Sequence, residues 1–239
     1  MPSGYFITGT GTDVGKTLVT AGLFRAFLRR GLTTRAVKPV QTGCFVTPAG
    51  DVIAPDTRLY EQAAQGLTGG DILVFHTFTP ACSPHLAARL AGEQLSVRAL
   101  ERNIADTAEG ADVILVEGAG GALVPLNDTE TSLNLIKSLG FPVVVVADNR
   151  LGMINHTLLT LEVLKQSGVD IAGVVINHCS PVTDENRFIR EDNPTAIARF
   201  GNAAILGELP FFDHWAPEEG DFWTKNDPFF DTIRDNLTL

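Results

Sequence analysis

The sequence predicts an α/β fold, a doubly wound and mostly parallel sheet with helices on both faces. Three observations carry this expectation. A short apolar run, Tyr5-Phe6-Ile7-Thr8, leads into Gly9-Thr10-Gly11-Thr12-Asp13-Val14-Gly15-Lys16-Thr17 and then into a helical pattern. Three later runs, 112–116, 141–147 and 171–176, are apolar without alternation, as strands covered on both faces are. Strand and helix patterns alternate, with no internal repeat and no dividing linker, so residues 1–239 read as a single domain.

Each element has its own signal. Residues 17–30 read as a helix, with Val19, Leu23 and Phe27 on one face, Arg29 and Arg30 at the negative end, and Gly31 as the stop. Residues 34–40 form a second strand that ends in Lys38-Pro39-Val40-Gln41-Thr42-Gly43. The Pro-, Gly- and Thr-rich stretch 45–55 reads as loop, and a helix runs over 57–65 with Asp56 placed to cap it. Residues 72–78 are strand-like, Ser83 is placed to cap a helix opened by Pro84, and 97–109 is a further helix. The strands 112–117 and 141–148 both end in an acid, a helix spans about 154–167, and 171–176 is another strand. Residues 185–200 read as helix and 204–207 as a short last strand. The segment 212–239, rich in acids and aromatics, reads as an irregular tail whose Trp215, Trp223, Phe229 and Phe230 pack somewhere on the body.

Composition narrows the partners. A formal net charge of −10 over 239 residues argues against a nucleic-acid or anionic-membrane surface, though not against a nucleotide, which needs only local positive charge. The three cysteines have no paired spacing for zinc or redox work, which suits a reducing compartment. No run is long enough to span a bilayer and the N-terminus lacks a basic segment, so the expectation is a soluble cytoplasmic protein.

The chemistry concentrates at a few positions. Strand, glycine-rich turn, Gly-Lys-Thr and helix is the layout of a phosphate-binding loop, so the fold is expected to be P-loop NTPase-like. Glycines let backbone N–H groups curl around phosphate oxygens at the positive end of a helix. Lys16 would reach the terminal phosphates, and the Thr17 hydroxyl would enter a Mg2+ shell. Glycines flank Thr10, the position where the first glycine of that loop usually stands, as Gly9 and Gly11. Lys38 ends a strand where open α/β sheets bind ligands. Asp56 serves either as a helix cap or as a metal ligand. Glu117 and Asp148 are rivals for the acid that holds Mg2+, and periodicity does not choose between them.

Several stretches together resemble the dethiobiotin synthetase family. They are the loop 8–17, Lys38-Pro39-Val40 with Thr42-Gly43, Ser83-Pro84-His85, Val116-Glu117-Gly118-Ala119-Gly120-Gly121, Leu151-Gly152 with Ile154-Asn155-His156, and Gly207-Glu208-Leu209-Pro210. They stand in the family's order, with Gly11 where the family often has Asp and Thr42 where many members have Ser.

The resemblance implies an ATP- and Mg2+-dependent cyclo-ligase of biotin biosynthesis that closes the ureido ring of dethiobiotin from 7,8-diaminopelargonate and CO2, through a carbamate and a carbamic-phosphoric anhydride. It implies Lys16 and Lys38 as catalytic and Thr17, Asp56 and Glu117 as metal ligands, so that Asp56 moves from cap to ligand and Glu117 is chosen over Asp148. It further implies nucleotide contacts from Thr12, Asp13, Val14, Gly15, Lys16, Thr17, Leu18, Asp56, Glu117, Gly118, Ala119, Gly120, Asn177, His178, Pro210, Phe211 and Phe212. Substrate contacts are implied from Thr12 and Thr42, and from Leu151, Gly152, Met153, Ile154 and Asn155 of a second subunit, hence a homodimer.

Two other classes compete. A switch ATPase of the chromosome- or septum-positioning type would carry an extra lysine at Gly11, and a cobyric-acid-synthase-like enzyme would need a glutamine-hydrolysing domain.

Overall fold

The computed structural model of the chain describes residues 3–238; Met1, Pro2 and Leu239 lie outside the described residues. Seven strands form one sheet: β1 (Ser3–Gly9), β2 (Thr34–Thr42), β5 (Gly70–Phe78), β6 (Val113–Gly121), β7 (Val143–Asp148), β8 (Ile171–Asn177) and β9 (Ile205–Leu209). Their order is β5-β2-β6-β1-β7-β8-β9, and every neighbouring pair is parallel. Two-residue strands β3 (Phe45–Val46) and β4 (Val52–Ile53) pair as a small antiparallel hairpin where the sequence reads as loop.

Helices cover both faces, as parallel strands require. One face carries α1 (Lys16–Arg29), α2 (Pro55–Ala64) and α8 (Gly220–Asp235), packed with Ile7, Leu115 and Val144. The other carries α3 (Pro84–Ala91), α4 (Val97–Asp106), α5 (Ser132–Leu139), α6 (Met153–Gln166) and α7 (Arg187–Gly201), packed with Phe6, Val116 and Val145. Alternate residues of the central strands thus feed two cores, as the period of two dictates. Ser83 precedes α3 without a side-chain cap hydrogen bond. In α2 the N-cap position belongs to Ala54, and Asp56 sits one residue inside the first turn, so Asp56 is no cap.

The expectation of an irregular C-terminal tail is corrected by α8. This 16-residue helix lies against α1 and β9. Arg25 of α1 donates to Asp227 at 2.8 Å, Arg29 reaches Asp227 and Asp231, and Trp223 donates from its indole to the Pro217 carbonyl at 3.0 Å. Of the aromatics expected to pack on the body, Trp223 and Phe230 are buried, as is Phe222, whereas Trp215 and Phe229 are exposed. Pro228 within the helix and the acids around it hide the helical pattern in the sequence.

The contact between α1 and α8 is close enough to need a glycine. A Cβ on Gly22 would lie 2.0 Å from the Phe230 ring. Gly to Ala inside a helix ordinarily gains about 1 kcal/mol. Here the steric overlap reverses the sign, and Gly22→Ala should cost about 1–3 kcal/mol, the range for overpacking. A thermal melt reads this as a lower Tm; an unchanged or raised Tm would refute the close packing.

Candidate active site

Strand register builds the centre of the site. Val37 of β2 pairs with Val116 of β6, so Lys38 and Glu117, one residue further along each strand, sit side by side on the α1 face. The Lys38 ammonium donates to Glu117 Oε1 at 2.6 Å and to Asp56 Oδ2 at 2.6 Å. Thr17, at the second position of α1, donates its hydroxyl to the same Glu117 Oε1 at 3.0 Å. Tyr60 of α2 donates its phenol to Glu117 Oε2. Three elements, β2, α1 and α2, therefore converge on one carboxylate of β6 that is 0% exposed.

The phosphate loop closes over this cluster. Lys16 donates to the Gly11 carbonyl at 2.8 Å, across the loop it terminates. Asp13 takes φ 57 and Gly15 φ 95, the left-handed turns that point successive N–H groups inward. Gly15 has no substitute: its Cβ would meet Asn177 Nδ2 at 2.1 Å. That same amide donates to the Val14 carbonyl at 3.0 Å and so anchors the loop to the end of β8.

Charge follows from this geometry. Burial pulls the Lys38 ammonium toward neutrality, but Glu117 and Asp56 outweigh it and hold its pKa above the ordinary lysine value. Lys16 moves the other way. Burial lowers its pKa, Glu117 opposes this, and the like charge of Lys38 adds to the lowering. Burial, then the charge of Glu117, pushes the Tyr60 phenol well above its usual range, so it remains a proton donor.

The cluster forms the floor of a cleft of about 1080 Å³. Of the residues expected in the site, Thr12, Asp13, Gly15, Lys16, Thr17, Leu18, Lys38, Thr42, Asp56, Glu117, Ala119, Gly120, Asn177, His178, Phe211 and Phe212 all line it. Val14 does not; its side chain is buried in the core while its carbonyl serves Asn177. The Gly118 carbonyl lies 3.5 Å from Lys38 Nζ, behind the lining, and Pro210 sits beside the lining residue Phe211.

Leu151, Gly152, Met153, Ile154 and Asn155 open α6 and do not line this cleft. Met153 is buried in the core, whereas Leu151 is 81% exposed. Asp148 is also elsewhere. It pairs with Arg150 at 3.2 Å and accepts from the Cys179 N–H at 3.3 Å, apart from the Lys38 cluster.

Sequence reasoning missed Tyr60 and Trp215. Tyr60 follows Asp56 by four residues, a helical spacing that puts both on one face. Trp215 lines the cleft with Phe212, ring centroids 6.4 Å apart, and stands edge-on to Phe222 at 5.3 Å. Its signal was an aromatic cluster just beyond the last strand.

The donor set suits a hard divalent cation. Thr17, Asp56 and Glu117 offer only oxygen atoms, and the two carboxylates already converge on one positive charge, the Lys38 ammonium. Among the described residues no group of three or more His, Cys, Asp or Glu is placed to hold a metal ion by itself.

Comparison with known proteins gives the family. A family model described as an AAA domain matches residues 3–219. The ATP-dependent dethiobiotin synthetase BioD of Pseudomonas aeruginosa (strain UCBPP-PA14) is 40% identical, over 91% of this chain and 93% of its own. The proteins of the same name from Anoxybacillus flavithermus and Thermodesulfovibrio yellowstonii are 37% and 35% identical, over 95% and 90% of their lengths. The chain belongs to the dethiobiotin synthetase family. Solved structures show the fold alone at lower identity. The septum site-determining protein MinD of Pyrococcus horikoshii, solved with Mg-ADP, superposes with TM-score 0.63 at 20% identity, covering 98% of this chain and 95% of that one. A ParA family ATPase from Chlorobium tepidum gives TM-score 0.54 at 11% identity, covering 98% and 91%. This dethiobiotin synthetase family member thus has the P-loop ATPase fold, with a seven-stranded parallel sheet.

Two tests follow from the geometry. Glu117→Gln should raise the Mg2+ concentration needed for half-maximal turnover by more than about tenfold, the scale seen for groups around a metal. Asp148→Asn should leave it near that of the parent; the reverse order would mean that Asp148 is the metal-facing acid. Cys179, at the cleft edge, has a thiol pushed up to about 12 by burial and then by Asp148. Its thiolate at pH 8 is roughly a thousandfold rarer than that of an ordinary cysteine. Iodoacetamide should therefore label it far more slowly than free cysteine; comparable rates would place an ionised thiol in the cleft.

Proposed function

We propose that this chain is an ATP- and Mg2+-dependent ligase that joins 7,8-diaminopelargonate and CO2 into the ureido ring of dethiobiotin, releasing ADP and phosphate. The observation that carries the reading is the pair of buried lysines, Lys16 and Lys38, set beside Glu117 and Asp56 at the floor of a cleft reached by the phosphate loop. Family membership supplies the reaction.

In this reading one amine of the substrate adds to CO2, forming an N–C bond and losing a proton, to give a carbamate. A carbamate oxygen then attacks the γ-phosphorus as the bond to the ADP oxygen breaks. The second amine, neutral when it reacts, attacks the carbonyl carbon of the anhydride, and phosphate leaves. A carbamate is a weak nucleophile and the triphosphate repels it, so catalysis rests on position and charge. Lys16 and the loop amides hold the terminal phosphates. Lys38 stands where the γ-phosphate and the carbamate meet, and the hydroxyls of Thr12 and Thr42 orient the carbamate. Asn177, His178, Phe211 and Phe212 form the wall for the base. Thr17, Asp56 and Glu117 would hold Mg2+, whose charge would offset that of the phosphates. No protein nucleophile enters, in keeping with the un-ionised thiol of Cys179.

Leu151 to Asn155 serve a second copy in this reading. They lie outside their own cleft at the start of α6, where Leu151, Gly152 and Asn155 are exposed, and Leu159 of α6 with Phe188 and Phe200 of α7 adds exposed apolar surface suited to a homodimer.

The test uses the purified protein with ATP, Mg2+ and bicarbonate, with and without 7,8-diaminopelargonate. Phosphate release should depend on the diamine and match dethiobiotin by mass spectrometry mole for mole. Hydrolysis indifferent to the diamine would refute the ligase and point to a partner-driven ATPase.

A further inference from the structure

Tyr60 is the one partner of Glu117 that the chemistry above leaves without a role. The two carboxylate oxygens of Glu117 are divided between different neighbours. Oε1 accepts from Lys38 and Thr17, and Oε2 accepts from the Tyr60 phenol. Glu117 and the Tyr60 ring are both fully buried, so no water stands ready to replace the phenol. The ring packs in the same apolar cluster as Val19, Leu23 and Ala63, which fixes its rotamer. Asp56 and Tyr60 are four residues apart on α2, so one helix face delivers both a carboxylate and a phenol to the same cluster.

We propose that Tyr60 is a positioning residue that holds the Glu117 carboxylate by Oε2, so that Oε1 is presented toward Thr17 and Asp56 as a ligand for a divalent cation. The proposal rests on the metal assignment made above. The physical reason is competition. Lys38 already donates to Oε1, and without a donor of its own Oε2 would be drawn to the same ammonium. Turning the carboxylate in that way would withdraw Oε1 from the metal. A phenol suits the task because its ring fills the core while its hydroxyl supplies one directed hydrogen bond.

The test is Tyr60→Phe, which keeps the ring and removes the hydroxyl. Binding of Mn2+ in the presence of ADP, followed by electron paramagnetic resonance, should weaken roughly tenfold, the scale of groups that orient metal ligands. Binding of ADP in EDTA should not change. Turnover should show the same split, with a raised half-saturating Mg2+ concentration and a kcat near the parent's at saturating metal. When Glu117→Gln is already in place, adding Tyr60→Phe should weaken Mn2+ binding little further, because the phenol acts through that carboxylate. Mn2+ affinity within twofold of the parent in Tyr60→Phe, with Glu117→Gln clearly impaired, would overturn the role of Tyr60 alone. An unimpaired Glu117→Gln would overturn the metal assignment and this role with it.

A second measurement does not depend on the variant folding. The chain has two tyrosines, Tyr5 and Tyr60, so 3-fluorotyrosine gives two 19F signals, assigned with Tyr5→Phe. The Tyr60 signal should shift on adding Mg2+ with ADP but not on adding ADP in EDTA; a signal blind to the metal would refute the proposal.

Discussion

A carboxylate with no solvent exposure is the constraint on which the rest of the structure depends. Leaving Glu117 charged in a protein interior costs several kcal/mol unless every lone pair finds a donor. The fold supplies those donors from separate elements: Lys38 from β2, Thr17 from α1 and Tyr60 from α2. Asp56 then shares the charge of Lys38, so the cluster is two acids around one base with a hydroxyl and a phenol at its edges. Such a cluster is stable only when all members are present, which ties the position of α2 to the register between β2 and β6.

The surrounding architecture keeps that arrangement stiff. The phosphate loop is fixed at one end by β1, at the other by α1, and in the middle by Asn177 through the Val14 carbonyl. Helix α1 is pressed from outside by α8, where Arg25 and Asp227 form a buried ion pair and the Phe230 ring packs closely against Gly22. The C-terminal segment therefore supports the helix whose N-terminus faces the cleft, and its preceding stretch contributes Trp215 to the cleft wall.

Much of this was legible in the residues themselves. The apolar runs ending at Glu117 and Asp148 gave the buried parallel strands, and the Gly-Lys-Thr turn gave the ligand-binding edge. Periodicity did not choose between the two acids, because both end a strand; the family resemblance favoured Glu117, and pairing order is what sets it beside Lys38. Strand β6 separates β1 from β2, a fact of topology that no local pattern carries. Helix α5 escaped notice because it is only eight residues long, and α8 because Pro228 interrupts its pattern. Tyr60 had the right spacing from Asp56, but a tyrosine on a helix is read first as core, and here it is both core and donor.

The strand order also governs how the molecule must assemble. β1 and β2 are consecutive in the chain, yet the strand that lies between them starts at Val113. Neither can complete its pairing until a segment more than a hundred residues beyond the first strand has arrived. Contacts so distant along the chain form slowly, and meanwhile the apolar edges of β1 and β2 stand open to other chains. Lys38 and Glu117 meet only in that late event, so the pair at the heart of the site also marks the completion of the sheet's centre, and a refolding population that lacks it is one in which the middle strand has not yet been inserted.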